Sequence, residues 1–94
     1  MAQKKLTAGS PAPDFSLPDA SGNMVSLSTF RGSWLILYFY PRDNTSGCTL
    51  EAVDFTDRVN DFKTLRASIL GISPDTVDSH RKFIEKQGLG ITLL

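Results

Sequence analysis

The sequence predicts an α/β fold with a mainly parallel sheet. Two observations carry this. Short apolar runs and helix-periodic segments alternate in the order strand, helix, strand, helix, strand, joined by short links, and parallel strands need such crossover helices. The run "WLILYFY" (34–40) then supplies seven consecutive apolar or aromatic residues stopped by Pro41. A run this short and this apolar reads as a strand buried on both faces.

The elements follow in chain order. "AGSPAPDFSLPDASGN" is rich in Pro, Gly, Ser and Asp and reads as extended chain and turns. "DFSL" and "MVSL" alternate in polarity on either side of "PDASGN", which suits a short β-hairpin. "STFRGS" is a turn or a single helical turn. The strand 34–40 comes next, then the loop "RDNTSG". From Cys48 the spacing becomes helical: Ala52, Phe55, Val59 and Phe62 form one amphipathic stripe. Helical character reaches about Arg66, with a break near Asn60. "SILGI" (68–72) is a second strand. "SPDTVDSHRKFIEKQG" is a helix started by Pro74, Asp75 or Thr76 and stopped by Gly88. Its inner face is Val77, His80, Phe83, Ile84 and Gln87. "ITLL" (91–94) begins a third strand. Trp34 and the Tyr38–Phe39–Tyr40 cluster are expected in the core and in a pocket wall.

Ninety-four residues make one small domain, spanning 1–94. Apolar residues are 40% of the chain, charged residues 21%, and the formal net charge is zero. That balance gives no electrostatic case for nucleic acid or an anionic membrane. No apolar run approaches the ~20 residues of a spanning helix. The start "MAQKK" is followed by "LTAGSPAPDF", without the apolar stretch of a secretory signal. A cytoplasmic protein is expected. One cysteine and one histidine exclude an intrachain disulfide and a Cys-x-x-Cys redox pair. They leave a zinc site without ligand spacing.

Cys48 lies past the end of the most buried strand, at the start of the following helix. In parallel sheets reactive groups gather outside the carboxyl ends of the strands. A helix N-terminus offers unpaired N–H groups and partial positive charge, and both favour a thiolate. Gly47 lets a substrate approach the backbone closely. The Thr45 hydroxyl can donate to the thiolate or accept from an incoming hydroxyl or hydroperoxide. Pro41 removes one N–H donor and helps keep solvent out. Glu51 either orients an arginine or helps cap the helix. Each residue also has an ordinary structural role: Thr45 and Ser46 as N-caps, Pro41 and Gly47 as loop formers. Their combination around a lone cysteine points to chemistry. Thiolate gain alone supplies little rate. Lowering a thiol pKa from ~8.5 to ~6 raises the thiolate fraction roughly 30-fold at neutral pH. The accompanying fall in nucleophilicity removes roughly 10–18-fold. Alignment and stabilisation of the departing oxygen must do the rest, and an arginine suits that task.

"PRDNTSGC" resembles the peroxiredoxin signature Pro-x-x-x-Thr-x-x-Cys, as Pro41, Thr45 and Cys48. The flanks "APDFSLPDASGNMVSLSTFRG", "LYFYPRDNTSGCTLEA", "GISPDTVDSHRKF" and "KQGL" are similar to the Q-type peroxiredoxins, or bacterioferritin comigratory proteins, from about residue 8 to 94. The resemblance implies a thioredoxin-like fold and a cysteine peroxidase without metal or organic cofactor. Cys48 would be the peroxidatic nucleophile, attacking hydrogen peroxide or an alkyl hydroperoxide and becoming a sulfenic acid. Thr45 would hydrogen-bond thiolate and peroxide, Pro41 would shield the pocket, and the backbone N–H groups of Gly47 and Cys48 would hold the peroxide.

Two departures shape the expectation. The positions where relatives carry a resolving cysteine hold Val53 and Ile84. This implies a one-cysteine mechanism with an external thiol reductant (glutathione, thioredoxin, glutaredoxin or a partner protein). Relatives also run on past residue 94 with further strands and a final helix, including the family's active-site arginine. Arg31, Arg42, Arg58, Arg66 and Arg81 do not match its position. A truncated chain is therefore expected, monomeric or weakly dimeric, with weak activity and an open sheet edge. The alternative from another class is a non-catalytic thioredoxin-like module that binds partners or self-associates. Cysteine phosphatases fail because their loop needs arginine where Asp54 stands. Cysteine-protease chemistry would need His80, which is expected to be packed and hydrogen-bonded instead.

Overall fold

The computed structural model describes residues 7–94. The basic start at residues 1–5 lies outside them. Two short strands, β1 (Ser16–Pro18) and β2 (Met24–Ser26), pair antiparallel with Leu17 opposite Val25. Asp19 closes the intervening turn, accepting from the N–H groups of Ser21 and Asn23 at 2.9 and 3.0 Å. A single 3-10 turn, Leu27–Phe30, leads into β3 (Trp34–Phe39). Helices α1 (Ser46–Asp57) and α2 (Val59–Thr64) follow, then β4 (Ala67–Ile72), α3 (Val77–Gln87) and β5 (Thr92–Leu93). The second sheet is parallel throughout, in the order β3-β4-β5. The expected hairpin and the βαβαβ order are therefore both present.

The helices form where local chemistry directs them. In α3 the Thr76 hydroxyl accepts from the Ser79 N–H at 3.1 Å, an N-cap bond. Gly88 ends the helix at φ 63°, a left-handed conformation that costs glycine little. The long helical segment breaks at Arg58 rather than near Asn60. Beyond α2, Arg66 takes φ 57° to turn the chain into β4.

One face of the parallel sheet is the core. Ile36, Tyr38 and Tyr40 point to it from β3 and its end, Ile69 from β4 and Leu93 from β5. They meet Ala52, Val53 and Phe55 of α1, Phe62 of α2, and Phe83 and Ile84 of α3. The other face carries Leu37, Phe39 and Ile72. The N-terminal segment covers it in part, leaving an apolar groove that Phe15 and Leu17 also line. Burial on both faces of β3 is thus corrected. Trp34 is 77% exposed and Phe39 73% exposed, so neither is core. The reason is topological: Trp34 opens a strand at the edge of the sheet, and Phe39 points to the face away from the helices, which the N-terminal segment covers only in part.

Candidate active site

The site is the link from β3 to α1. Tyr40 still belongs to the sheet, its N–H donating to the Ile72 carbonyl at 3.0 Å. The chain then passes through Pro41, Arg42, Asp43 and Asn44 to Thr45, the N-cap of α1. Asn44 sits at φ 63°, a region that asparagine tolerates better than most side chains. The first helical bond runs from the Thr49 N–H to the Thr45 carbonyl at 2.8 Å. The N–H groups of Ser46, Gly47 and Cys48 therefore have no acceptor within the helix.

Cys48 occupies that first turn, half-buried, with its side chain against the core cluster. Gly47 precedes it, and a Cβ there would meet no atom within 4 Å, so the approach to the backbone is open. Thr45 is exposed, and its hydroxyl donates to the Arg42 carbonyl at 3.2 Å. It makes no bond to its own helix. With its proton so engaged, the Thr45 oxygen presents lone pairs beside the helix entrance. Pro41 is exposed and lines a groove with Leu17, Phe39 and Ile72. Glu51 is exposed and lies beyond the first turn of α1, so it does not cap the helix. Val53 and Ile84 both pack against the core.

Tyr38 forms the floor beneath α1. Its ring stacks on Phe55 with centroids 4.8 Å apart, and its hydroxyl crosses Gly71. A Cβ at Gly71 would come within 2.8 Å of that phenol. Burial pushes the Tyr38 phenol well above its ordinary range, and the negative charges of Glu51, Cys48 and Asp43 add to this.

A polar cluster that sequence reasoning did not assemble lies behind the loop. Asp43 is buried, 8% exposed, and His80 of α3 is 1% exposed. The Tyr40 hydroxyl donates to Asp43 Oδ1 at 2.6 Å. Asp43 Oδ2 accepts from Ser79 Oγ at 2.8 Å and faces His80 Nδ1 at 2.8 Å. A carboxylate oxygen at that distance requires the proton on Nδ1. The Asp43 N–H donates to Asp75 Oδ2 at 2.7 Å, and that oxygen also accepts from Ser73 Oγ at 2.7 Å. Burial pushes the Tyr40 phenol far up, and its bond to Asp43 pushes it further. The usable signal in the sequence was the single histidine on an inner helix face: a buried polar ring needs a partner. The spacing could not say that the partner is Asp43.

Residues 8–94 match the AhpC/TSA family. The chain belongs to that family. Among its relatives, peroxiredoxin Bcp of Bacillus subtilis is 48% identical over 89 residues, which are 95% of this chain and 57% of that protein. The chloroplastic peroxiredoxin Q of Sedum lineare is 47% identical over 90 residues, 96% of this chain and 48% of that protein. The chain thus spans about half the length of these curated relatives. The crystal structure of peroxidoxin BcpB from Mycobacterium tuberculosis superposes with a TM-score of 0.86 at 40% identity, covering 92% of this chain and 56% of that one. A yeast mitochondrial 1-Cys peroxiredoxin gives 0.87 at 26% identity, covering 95% and 45%. The resemblance to Q-type peroxiredoxins and the thioredoxin-like fold class both hold for this AhpC/TSA chain. No helix among the described residues is long and apolar enough to cross a membrane.

Proposed function

We propose that this chain carries the peroxide-reducing centre of a thiol peroxidase, with Cys48 as its nucleophile. The observation that supports the reading best is the setting of Cys48. A half-buried thiol stands in the first turn of α1, among backbone N–H groups without helical acceptors and three residues after the N-cap Thr45. The Cys48 thiolate attacks one oxygen of a hydroperoxide. The O–O bond breaks, the departing oxygen takes a proton, and the products are a sulfenic acid and water or an alcohol. The N–H groups of Gly47 and Cys48 hold the peroxide in line, and Thr45 orients it from the N-cap. Pro41 limits solvent at the loop's entry. Glu51 remains a candidate for orienting an arginine.

The sequence holds one cysteine, so a thiol from outside it regenerates Cys48. Two reductant thiols become a disulfide and the sulfenic oxygen leaves as water. The 1-Cys peroxiredoxin of yeast mitochondria, whose thiol is resolved via glutathione and thioredoxin systems, supports this assignment. A lone free thiol suits a reducing compartment such as the cytoplasm. The unit acts as a single domain, monomeric or weakly dimeric.

Stopped-flow consumption of hydrogen peroxide and of an alkyl hydroperoxide, with wild type and Cys48→Ser, tests the reading. Wild type should react faster than free cysteine and the variant should be silent. A wild type no faster than free cysteine overturns it.

A further inference from the structure

We infer that His80 and Asp43 form a buried clamp that positions the Cys48 turn, making His80 a positioning residue for peroxide chemistry 32 residues away from Cys48 in sequence. The inference rests on the peroxidase reading above and goes beyond it. The residues from Pro41 to Gly47 are exposed with one exception, Asp43. An exposed link of this kind holds a single shape only where something ties it down. Its one internal side-chain bond is the weak contact from Thr45 Oγ1 to the Arg42 carbonyl at 3.2 Å.

The ties converge on Asp43. Oδ1 accepts from the Tyr40 hydroxyl at 2.6 Å. Oδ2 takes Ser79 Oγ and His80 Nδ1, both at 2.8 Å. The backbone N–H donates to Asp75 at 2.7 Å. Three of these four partners belong to the entry and first turn of α3. The carboxylate is therefore held at both oxygens and the backbone at its nitrogen, which fixes orientation as well as place. Thr45, the N-cap of α1, follows two residues later. The position of α3 is passed through Asp43 to the turn that carries Cys48.

Among the partners from α3, His80 is the most deeply buried. It is 1% exposed, so its ring cannot swing away. Its second nitrogen, Nε2, is buried with no partner among the described residues. A histidine kept for packing alone would be better served by leucine or phenylalanine, which leave no orphaned atom. The arrangement is explained if the Nδ1–H bond to Asp43 is what the position requires.

Two histidine variants separate positioning from packing. His80→Leu keeps an apolar filler and deletes the donor. His80→Asn loses ring volume but places an amide N–H near the Nδ1 position. We expect His80→Leu to slow oxidation of Cys48 by hydrogen peroxide about tenfold or more, because small misalignments are costly for in-line attack. Its alkylation by iodoacetamide, which needs no aligned peroxide, should change by less than about twofold on the same grounds. His80→Asn should recover most of the peroxide rate while melting no higher than His80→Leu. Amide hydrogen exchange should quicken at Asp43 and Thr49 in His80→Leu and stay unchanged at the β3–β4 ladder. If His80→Leu does not fold, Ser79→Ala gives the milder version of the same pattern, since it removes one donor to the same oxygen. Equal peroxide rates in folded His80→Leu and wild type, or a His80→Asn rate as low as that of His80→Leu, overturn the clamp. A wild type no faster than free cysteine would instead remove the peroxidase reading, and the exchange measurement would still decide whether His80 holds the loop.

Discussion

Replacing Tyr40 by phenylalanine removes one oxygen and leaves the ring in the core. Tyr40 is 5% exposed, and its hydroxyl is the sole donor to Asp43 Oδ1 among the described residues, at 2.6 Å. Ser79 and His80 both serve Oδ2, so the variant leaves Oδ1 buried and unpaired. A hydrogen bond to a charged acceptor contributes ~1.5–3 kcal/mol, so the expected loss is about 2 kcal/mol at neutral pH. For a domain of this size that lowers the melting temperature by about 10 °C. The pH dependence gives a second signature. Burial and the Asp43 bond raise the Tyr40 phenol well above its ordinary value of 10.0. The folded state therefore keeps a proton that the unfolded chain releases. Stability from this source is fully present below pH 10 and is lost as pH rises beyond it. One pH unit above 10.0 the loss is about 1.4 kcal/mol in wild type. Phenylalanine has no such proton, and every other group is shared. The deficit of Tyr40→Phe should thus shrink from about 2 kcal/mol at neutral pH to under ~1 kcal/mol in alkali. Urea unfolding of both proteins at the two pH values measures it. A deficit below ~0.5 kcal/mol at neutral pH, or one unchanged in alkali, refutes the argument.

Thr45→Val should lower the peroxide rate about 10²-fold while Thr45→Ser retains most of it, because one oriented polar group near the departing oxygen has that weight; stopped-flow oxidation of Cys48 checks this. Gly71→Ala should destabilise by ~1–3 kcal/mol, since its Cβ would come within 2.8 Å of the Tyr38 phenol and 3.0 Å of Leu93; urea unfolding reads the loss. Asp78 is fully exposed and held below its ordinary value first by the hydrogen bond from Lys82, at 3.2 Å, and then by the charge of Arg81. Its contribution is present above the unfolded value of 3.8 and lost as pH falls through the lower folded value. The stability difference between wild type and Asp78→Asn should accordingly vanish in acid and shrink in high salt, as thermal melts at both conditions would record.

Much of this molecule was legible before its structure. Helix α3 announced itself through the start signals Pro74, Asp75 and Thr76, of which the structure makes Thr76 the N-cap, and through Gly88, since such signals act within a turn of their own positions. The hairpin was readable from alternation around "PDASGN", and Ala52, Phe55 and Phe62 of the predicted stripe marked the inner side of α1 and α2, while its fourth member, Val59, is half-buried outside that cluster. Cys48 was located at the strand-to-helix turn for the same reason. The surroundings of β3 were less legible. An apolar run records a preference for burial, but its place in the sheet decides whether that preference is met at each residue. Trp34 and Phe39 stand at the two ends of an edge strand and stay in solvent. The direction of the Thr45 hydroxyl was also beyond reach, since helix and preceding carbonyl compete for the same group.

By itself the sequence determined the order of elements and the setting of the thiol: an apolar strand, a polar loop, and a helix with Cys48 in its first turn. Periodicity, capping and chain-stiffening residues act over a few positions, so they can be read along the chain. The tertiary structure alone decided which polar groups meet behind that loop. Parallel pairing places Phe39 opposite Ile72, which sets the loop after β3 beside the loop after β4. That register brings Asp43 to Asp75, Ser79 and His80, partners up to 37 residues distant. Contacts of this range depend on how layers pack, and no local pattern encodes them.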